Sequence, residues 1–137
     1  MIEGLNDTDR AALVQYRLER AHETLDDAKV LFNNERYIAA ANRLYYASFY
    51  AVEAILLNAK IQPGTHAGVK RMFGLHFISK GVFKEQWGKW FSDMCNMREV
   101  GDYDDFVYYS KADIEPIIPE VEEFIAMLTA FVHADVK

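Results

Sequence analysis

Residues 37–59 read YIAAANRLYYASFYAVEAILLNA. Small and apolar residues at Tyr37, Ala41, Leu44, Ser48, Ala51 and Ile55 make one seam at helical spacing, and Ile38, Tyr45, Phe49, Val52 and Leu56 make a second beside it. A helix that is apolar around most of its circumference belongs in the middle of a bundle. Its alanines, among them Ala40, Ala47 and Ala54, allow neighbouring helices to approach closely. Asn42 and Arg43 interrupt the apolar surface, and polar groups in such a place must find partners. Two kinds of partner are open: a carboxylate of the chain, Asp102 or Glu53, or a phosphate or nucleotide.

Upstream, Val14, Leu18, Ala21, Leu25, Ala28 and Phe32 alternate by four and three, so a first long helix is expected after an N-cap at Asp7 or Thr8. The sequence NNER separates it from the central helix. Downstream, QPG ends the central helix, and Thr65 is placed to cap a short third helix carrying Val69, Met72, Phe73 and Phe77 before SKG. A fourth helix sets Trp87, Phe91, Met94 and Arg98 on one seam, with Gly101 as its expected C-terminal cap. DYDDFVYY then reads as an irregular connection. Ser110 with Asp113 has the form of a capping box opening a last helix with Ile114, Ile118, Val121, Ile125, Leu128 and Val132. Pro116 and Pro119 require that helix either to begin near Glu115 or to start at Lys111 with a bend. The expected fold class is therefore all-α, an antiparallel helical bundle of four long helices plus one short helix.

At 137 residues the chain has the size of one domain, taken here as residues 1–137. The composition is that of a globular protein, with 51% hydrophobic and 26% charged residues, but 14% aromatic content is high enough to suggest an apolar face covered by a second copy. The N-terminal MIEGLNDTDR has no apolar signal core and the longest apolar run contains Arg43 and Glu53, so a cytoplasmic protein without membrane contact is expected. Cys95 is the single cysteine, which excludes an intrachain disulfide and reads as a small core residue. A net charge of −6 argues against a protein that coats nucleic acid, and DNA is not an expected partner. Between His66 and Arg98, however, the local balance is +4, from Lys70, Arg71, Lys80, Lys84, Lys89 and Arg98 against Glu85 and Asp93, which leaves −10 elsewhere. The ordinary reading of such a segment is a set of solvated helix faces.

Most enzyme signatures are missing: there is no phosphate-binding glycine loop, no zinc-binding His-Glu-x-x-His and no nucleophile elbow. His22, His66, His76 and His133 do not fall at the spacing that would aim two rings at one ion, and no metal or cofactor is expected. His66 follows Thr65 and reads as an exposed ring at a helix start, His76 as packing or interface, and Trp87 and Trp90 as core or dimer contacts.

Three stretches, AAANRLYYASFYAVEAILL (39–57), PGTHAGVKRMFGLHFISKGVF (63–83) and MREVGDYDDF (97–106), together resemble the HEPN domains, in particular a small prokaryotic group of stand-alone HEPN proteins. The resemblance spans nearly the whole chain. It implies a helical bundle that dimerises, and relatives that act as metal-independent ribonucleases, toxins or defence effectors, some beside a minimal nucleotidyltransferase antitoxin. In the ribonucleases an arginine, followed after four to six residues by a histidine, forms a composite site across the dimer. Arginine grips phosphate bidentately, and histidine moves the 2′-hydroxyl proton near neutral pH.

Arg98 matches that arginine, but the positions allowed for the histidine hold Tyr103, Asp104 and Asp105. An ordinary tyrosine, with a pKa of about 10, is a poor base at neutral pH. The resemblance thus implies Arg98, with Tyr103 or a displaced His66, as catalytic candidates, and Arg98, Arg43 and Asn42 as phosphate or nucleotide contacts. Tyr103, Tyr108 and Tyr109 are candidate acceptors of a modifying nucleotide. Arg98 also has an ordinary reading, as a helix-end cation four residues from Asp102. Three functions follow: an interaction module with a degenerate ribonuclease motif, a metal-independent ribonuclease, or a nucleotide- or small-substrate-binding helper of a transferase. The expected partners are a second copy, a nucleotidyltransferase, and RNA or a nucleotide.

Overall fold

The computed structural model describes residues 4–103 and 108–135, the side chains of 98–103 and 135 excepted. Its helices are α1 (Asp7–Asn33), α2 (Tyr37–Asn58), α3 (His66–Phe73), α4 (Glu85–Tyr103), α5 (Lys111–Ile114) and α6 (Ile117–Asp135), with a π-helical turn Gly74–Ile78 continuing α3. The four long helices and the short one are those expected from the sequence, with the last helix divided in two. Among the described residues no helix is long and apolar enough to cross a membrane.

α1 and α2 form an antiparallel hairpin, since Phe32 meets Tyr37 at one end while Arg20 reaches Tyr50 further along. α6 runs antiparallel to α1: Gln15 pairs with His133, His22 with Thr129 and Lys29 with Glu122. α2 lies in the middle and touches α1, α3, α4, α5 and α6. Leu44, Ala51, Val52, Ala54, Ile55 and Leu57 on it have no exposed surface at all. The apolar surface of α2 does not extend to its first turn, where Ile38 is 42% exposed.

Local chemistry explains the element ends. The N-cap of α1 is Asn6, one residue before the expected Asp7: its side chain accepts from the Asp9 amide at 2.8 Å, which frees Asp7 to pair with Arg10. Thr65 caps α3 through the Gly68 amide, and Ser110 with Asp113 forms the reciprocal capping box of α5. α1 and α2 both close with crossed carbonyl bonds, Arg36 to Leu31 with Glu35 to Phe32, and Ile61 to Leu56 with Lys60 to Leu57. Glu35 and Lys60 therefore take left-handed conformations, φ 61° and 64°, a position that glycine usually fills.

Two expectations of the sequence are corrected, and one of its alternatives is chosen. Gly101 does not end α4, which continues to Tyr103; glycine permits a helix stop without imposing one, and α4 holds Asp102 as well as Tyr103. The third helix does not stay α-helical to Phe77, because the Ser79 amide bonds the Gly74 carbonyl and widens the turn. The last helix starts at Lys111 and breaks at 115–116, where Pro116 lacks an amide hydrogen and its ring opposes the preceding turn.

Phe124, absent from the apolar seam expected for the last helix, proves to be the aromatic hub. It is fully buried and packs against Phe73, Trp87, Trp90 and Phe91, with ring centroids between 4.7 and 5.9 Å. Trp87 and Trp90 are thus core contacts of α4 on α6, and the Trp90 indole donates to Glu120. Cys95 is buried in the same layer of α4 as Met94 and Phe91. Phe124→Ala removes the ring that joins α3, α4 and α6, so it should destabilise the fold by about 3–5 kcal/mol in urea titration.

Candidate functional site

The side chains singled out along α2 come together with the tyrosines that precede α5. An open groove of about 650 Å³ is lined by Glu35 and Arg36 from the α1–α2 join, Tyr37, Ile38, Asn42 and Arg43 from α2, and Tyr108 and Tyr109. A volume of this order suits a small ligand or a few nucleotide units. Tyr108 is 81% exposed at the groove. Tyr109 is half-buried, and its hydroxyl donates to the Met97 carbonyl at 3.0 Å. That bond fastens the groove wall to α4 one residue before Arg98.

Arg43 is held on two sides. Its Nε and Nη2 both donate to Asn42 Oδ1, at 3.3 and 2.9 Å, and its guanidinium carbon lies 5.1 Å from the centre of the Tyr46 ring. The expected bond to Glu53 is not made. Glu53 lies on the far half of α2, where Arg17 of α1 is its cationic neighbour. Asp102, the other expected partner, has its side chain outside the described residues. Among the described residues Arg43 therefore meets no carboxylate, although it is half-buried.

His66 opens α3 as expected, but its ring is not a bystander. It stacks on Phe49 at 4.3 Å, its Nδ1 lies 3.0 Å from the hydroxyl of buried Tyr45, and it meets the Tyr46 ring edge-on at 6.0 Å. Tyr46 thus stands between Arg43 and His66, so residues 23 positions apart in sequence border one ring. A second arginine–tyrosine stack continues along α2: Tyr46 adjoins Tyr50, and Arg20 of α1 lies 5.0 Å over Tyr50. Hydrogen bonds that Arg20 donates to Tyr16 and to Tyr50 hold its guanidinium above its ordinary pKa.

Arg98 and Tyr103 lie on the last turns of α4, with their side chains outside the described residues, as are Asp104 and Asp105 entirely. The structure brings Asn42, Arg43, Tyr108 and Tyr109 into one groove and joins His66 to it through Tyr46. Tyr46 and Arg36 were missed in the sequence, where Tyr46 fell on neither apolar seam. Its spacing three residues after Arg43, on one helix face, was the available signal. Among the described residues no three His, Cys, Asp or Glu side chains gather as a metal-binding group.

With the bundle and this groove in place, the comparisons with known proteins define the class. The HEPN domain matches residues 14–131. A UPF0332 protein of Thermotoga maritima is 36% identical over 117 residues, covering 85% of this chain and 89% of its own length. Two proteins of Methanocaldococcus jannaschii are also similar: one named "Putative toxin MJ0605", 36% identical over 90% of this chain and 92% of its own, and one named "Putative toxin MJ0142", 32% identical over 79% and 74%. This chain belongs to the HEPN family.

Away from the groove, Glu53 is a source of pH-dependent stability. Burial pushes its carboxyl above the usual value of 4.5, and the Arg17 charge opposes that shift only in part. A folded pKa above the unfolded one means that the folded state binds more protons in the window between them. The associated stability is complete below 4.5 and is lost as the pH rises through the raised folded value. Glu53→Gln should remove this dependence and raise the melting temperature at neutral pH relative to the wild type, with the difference vanishing in acid. Thermal melts across that window, monitored by circular dichroism, measure it.

Proposed function

We propose that this chain is a toxin-type HEPN interaction module, a cytoplasmic homodimer paired with a minimal nucleotidyltransferase, that holds RNA or nucleotide phosphate without cleaving RNA efficiently. The observation that carries the reading is Arg43: a half-buried guanidinium, pinned by Asn42 and Tyr46, that faces no carboxylate among the described residues and lines a groove fastened beside Arg98. A preorganised cation of this kind suits a phosphate, which accepts from the planar guanidinium in two places. The toxin names of the Methanocaldococcus jannaschii relatives support the class. Tyr103 in place of the motif histidine removes the proton-transfer group. Tyr108, exposed at the groove, is better presented to a modifying nucleotidyltransferase than Tyr109, whose hydroxyl is engaged.

His66 supports a second reading. Its ring borders the same tyrosine as Arg43, as a displaced acid/base of a ribonuclease would. One experiment separates the two. Wild type, Arg98→Ala, Arg43→Ala, His66→Ala and Tyr103→His are incubated with RNA in chelator, and binding and cleavage are followed against pH.

The module predicts RNA or nucleotide binding that falls at least tenfold in Arg43→Ala. It also predicts wild-type cleavage near background, since general acid/base catalysis is worth about 10² to 10⁴ in rate. In this reading Tyr103→His gains activity. Rapid wild-type cleavage abolished by both Arg98→Ala and His66→Ala would instead establish the ribonuclease. Arg98→Ala that binds normally but melts earlier, by the about 0.5 to 1 kcal/mol of a helix-end cation, would return Arg98 to a structural role.

The homodimer is tested by sedimentation at micromolar concentration, where two chains per particle are expected. A monomer there would remove the composite site.

A further inference from the structure

Between Glu53 and Glu85 the sequence contains no carboxylate, while Lys60, Lys70, Arg71, Lys80 and Lys84 fall inside it. The part of this stretch that joins α3 to α4 is firmly built. The Ser79, Gly81 and Phe83 amides bond back to the carbonyls of Gly74, Ile78 and Phe77, and Phe73, Phe77 and Phe83 are buried beneath with stacked rings. α4 seals it at Gly88, where a Cβ would stand 3.1 Å from Ile78. With the phenylalanines turned inward, two large aliphatic side chains remain on the outside, Leu75 at 50% and Val82 at 43% exposure. Arg71, four residues before Leu75, and Lys80 and Lys84, two residues either side of Val82, are exposed, and none takes part in the salt bridges among the described residues, which are Arg10–Asp7, Lys29–Glu122 and Lys89–Asp93.

We propose that the outer side of the α3–α4 connection, Leu75 and Val82 framed by Arg71, Lys80 and Lys84, is a docking surface for an acidic amphipathic helix of a different protein chain. This deepens the paired-module reading by giving the partner its attachment surface, and rests on that reading for the existence of the partner. Apolar anchors inside a charged rim are the anatomy of a protein interface. Unpaired cations select carboxylates and speed their arrival.

Other occupants fit less well. Stacking of nucleic-acid bases needs flat rings, and the aromatic rings of this region are turned into the core. A bilayer surface is anchored by exposed tryptophan or tyrosine, and the connection has neither. In a twofold dimer built on this face, its cations would oppose their own copies. Docking onto the acidic remainder of another copy would be a head-to-tail contact, which builds rings or filaments rather than a twofold dimer.

The test uses the whole protein and a fluorescein-labelled synthetic helix of about 20 residues, with leucine on one face and glutamate on the other. Fluorescence anisotropy should show binding that weakens as salt is raised. The double variant Lys80→Glu/Lys84→Glu should weaken it at least tenfold at low salt, and Leu75→Ser/Val82→Ser should weaken it at every salt concentration. Both variants should melt like the wild type, because all four side chains are exposed.

A peptide that fails to bind, or binds both variants as well as the wild type, overturns the proposal. So does preferential binding of oligouridylate or phosphatidylserine vesicles that is lost in the same variants. A purified minimal nucleotidyltransferase, the partner class of the proposed function, separates the two levels. Equal binding to wild type and variants sinks the docking surface and leaves the pairing. Binding to none sinks the pairing, and the peptide alone then decides the surface.

Discussion

Everything in this bundle depends on the burial of α2. A helix surrounded by five other helices has almost no side left for water, so its small and aliphatic residues set how closely its neighbours approach. Polar residues are tolerated on it where a partner is at hand, as for buried Ser48, which donates to the Leu44 carbonyl, or where the packing opens. The opening is at its N-terminal half, where α1 has ended and the chain before α5 crosses. Asn42 and Arg43 stand there, and the groove is a consequence of the same constraint that builds the core. At such a place a charged group is best served by fixed partners, and Arg43 has an amide oxygen and an aromatic face.

The aromatic excess divides between two tasks. Phe73, Phe77, Phe83, Phe91, Trp87, Trp90 and Phe124 make a continuous layer joining the π turn, α4 and α6. Tyr46 and Tyr50 on α2 instead collect cations, Arg43 over Tyr46 and Arg20 over Tyr50, while the His66 ring packs on Phe49. The first set holds helices together through buried area. The second places positive charge at fixed positions on an otherwise acidic protein.

In the proposed function, such an arrangement separates holding a phosphate from cutting one. Gripping in that reading needs a fixed cation, which α2 supplies at Arg43, while the motif arginine, Arg98, lies on α4. Cutting needs a group that exchanges a proton near neutral pH, and the motif position for it holds Tyr103. The imidazole that borders the groove region, His66, arrives from a different helix and is tied to Tyr45.

The helices themselves were legible in the sequence, because hydrophobic periodicity and caps are local. The seam of α1, the all-round apolar character of α2, the Thr65 cap and the Ser110–Asp113 box all rest on residues a few positions apart, and each is found where it was read, the first turn of α2 excepted. The HEPN resemblance was legible for the same reason, from contiguous stretches. Legibility failed where two remote segments compete for one residue. Phe124 became a hub only because α3 and α4 both converge on it. His66 gained its anchorage only when α3 folded against Tyr45 and Phe49, and Arg43 took Asn42 and Tyr46 rather than Glu53, which the helix turns toward Arg17. Sequence spacing fixes which residues share a helix face; which face meets which neighbour is settled by packing the whole core at once, and that only the tertiary structure decides.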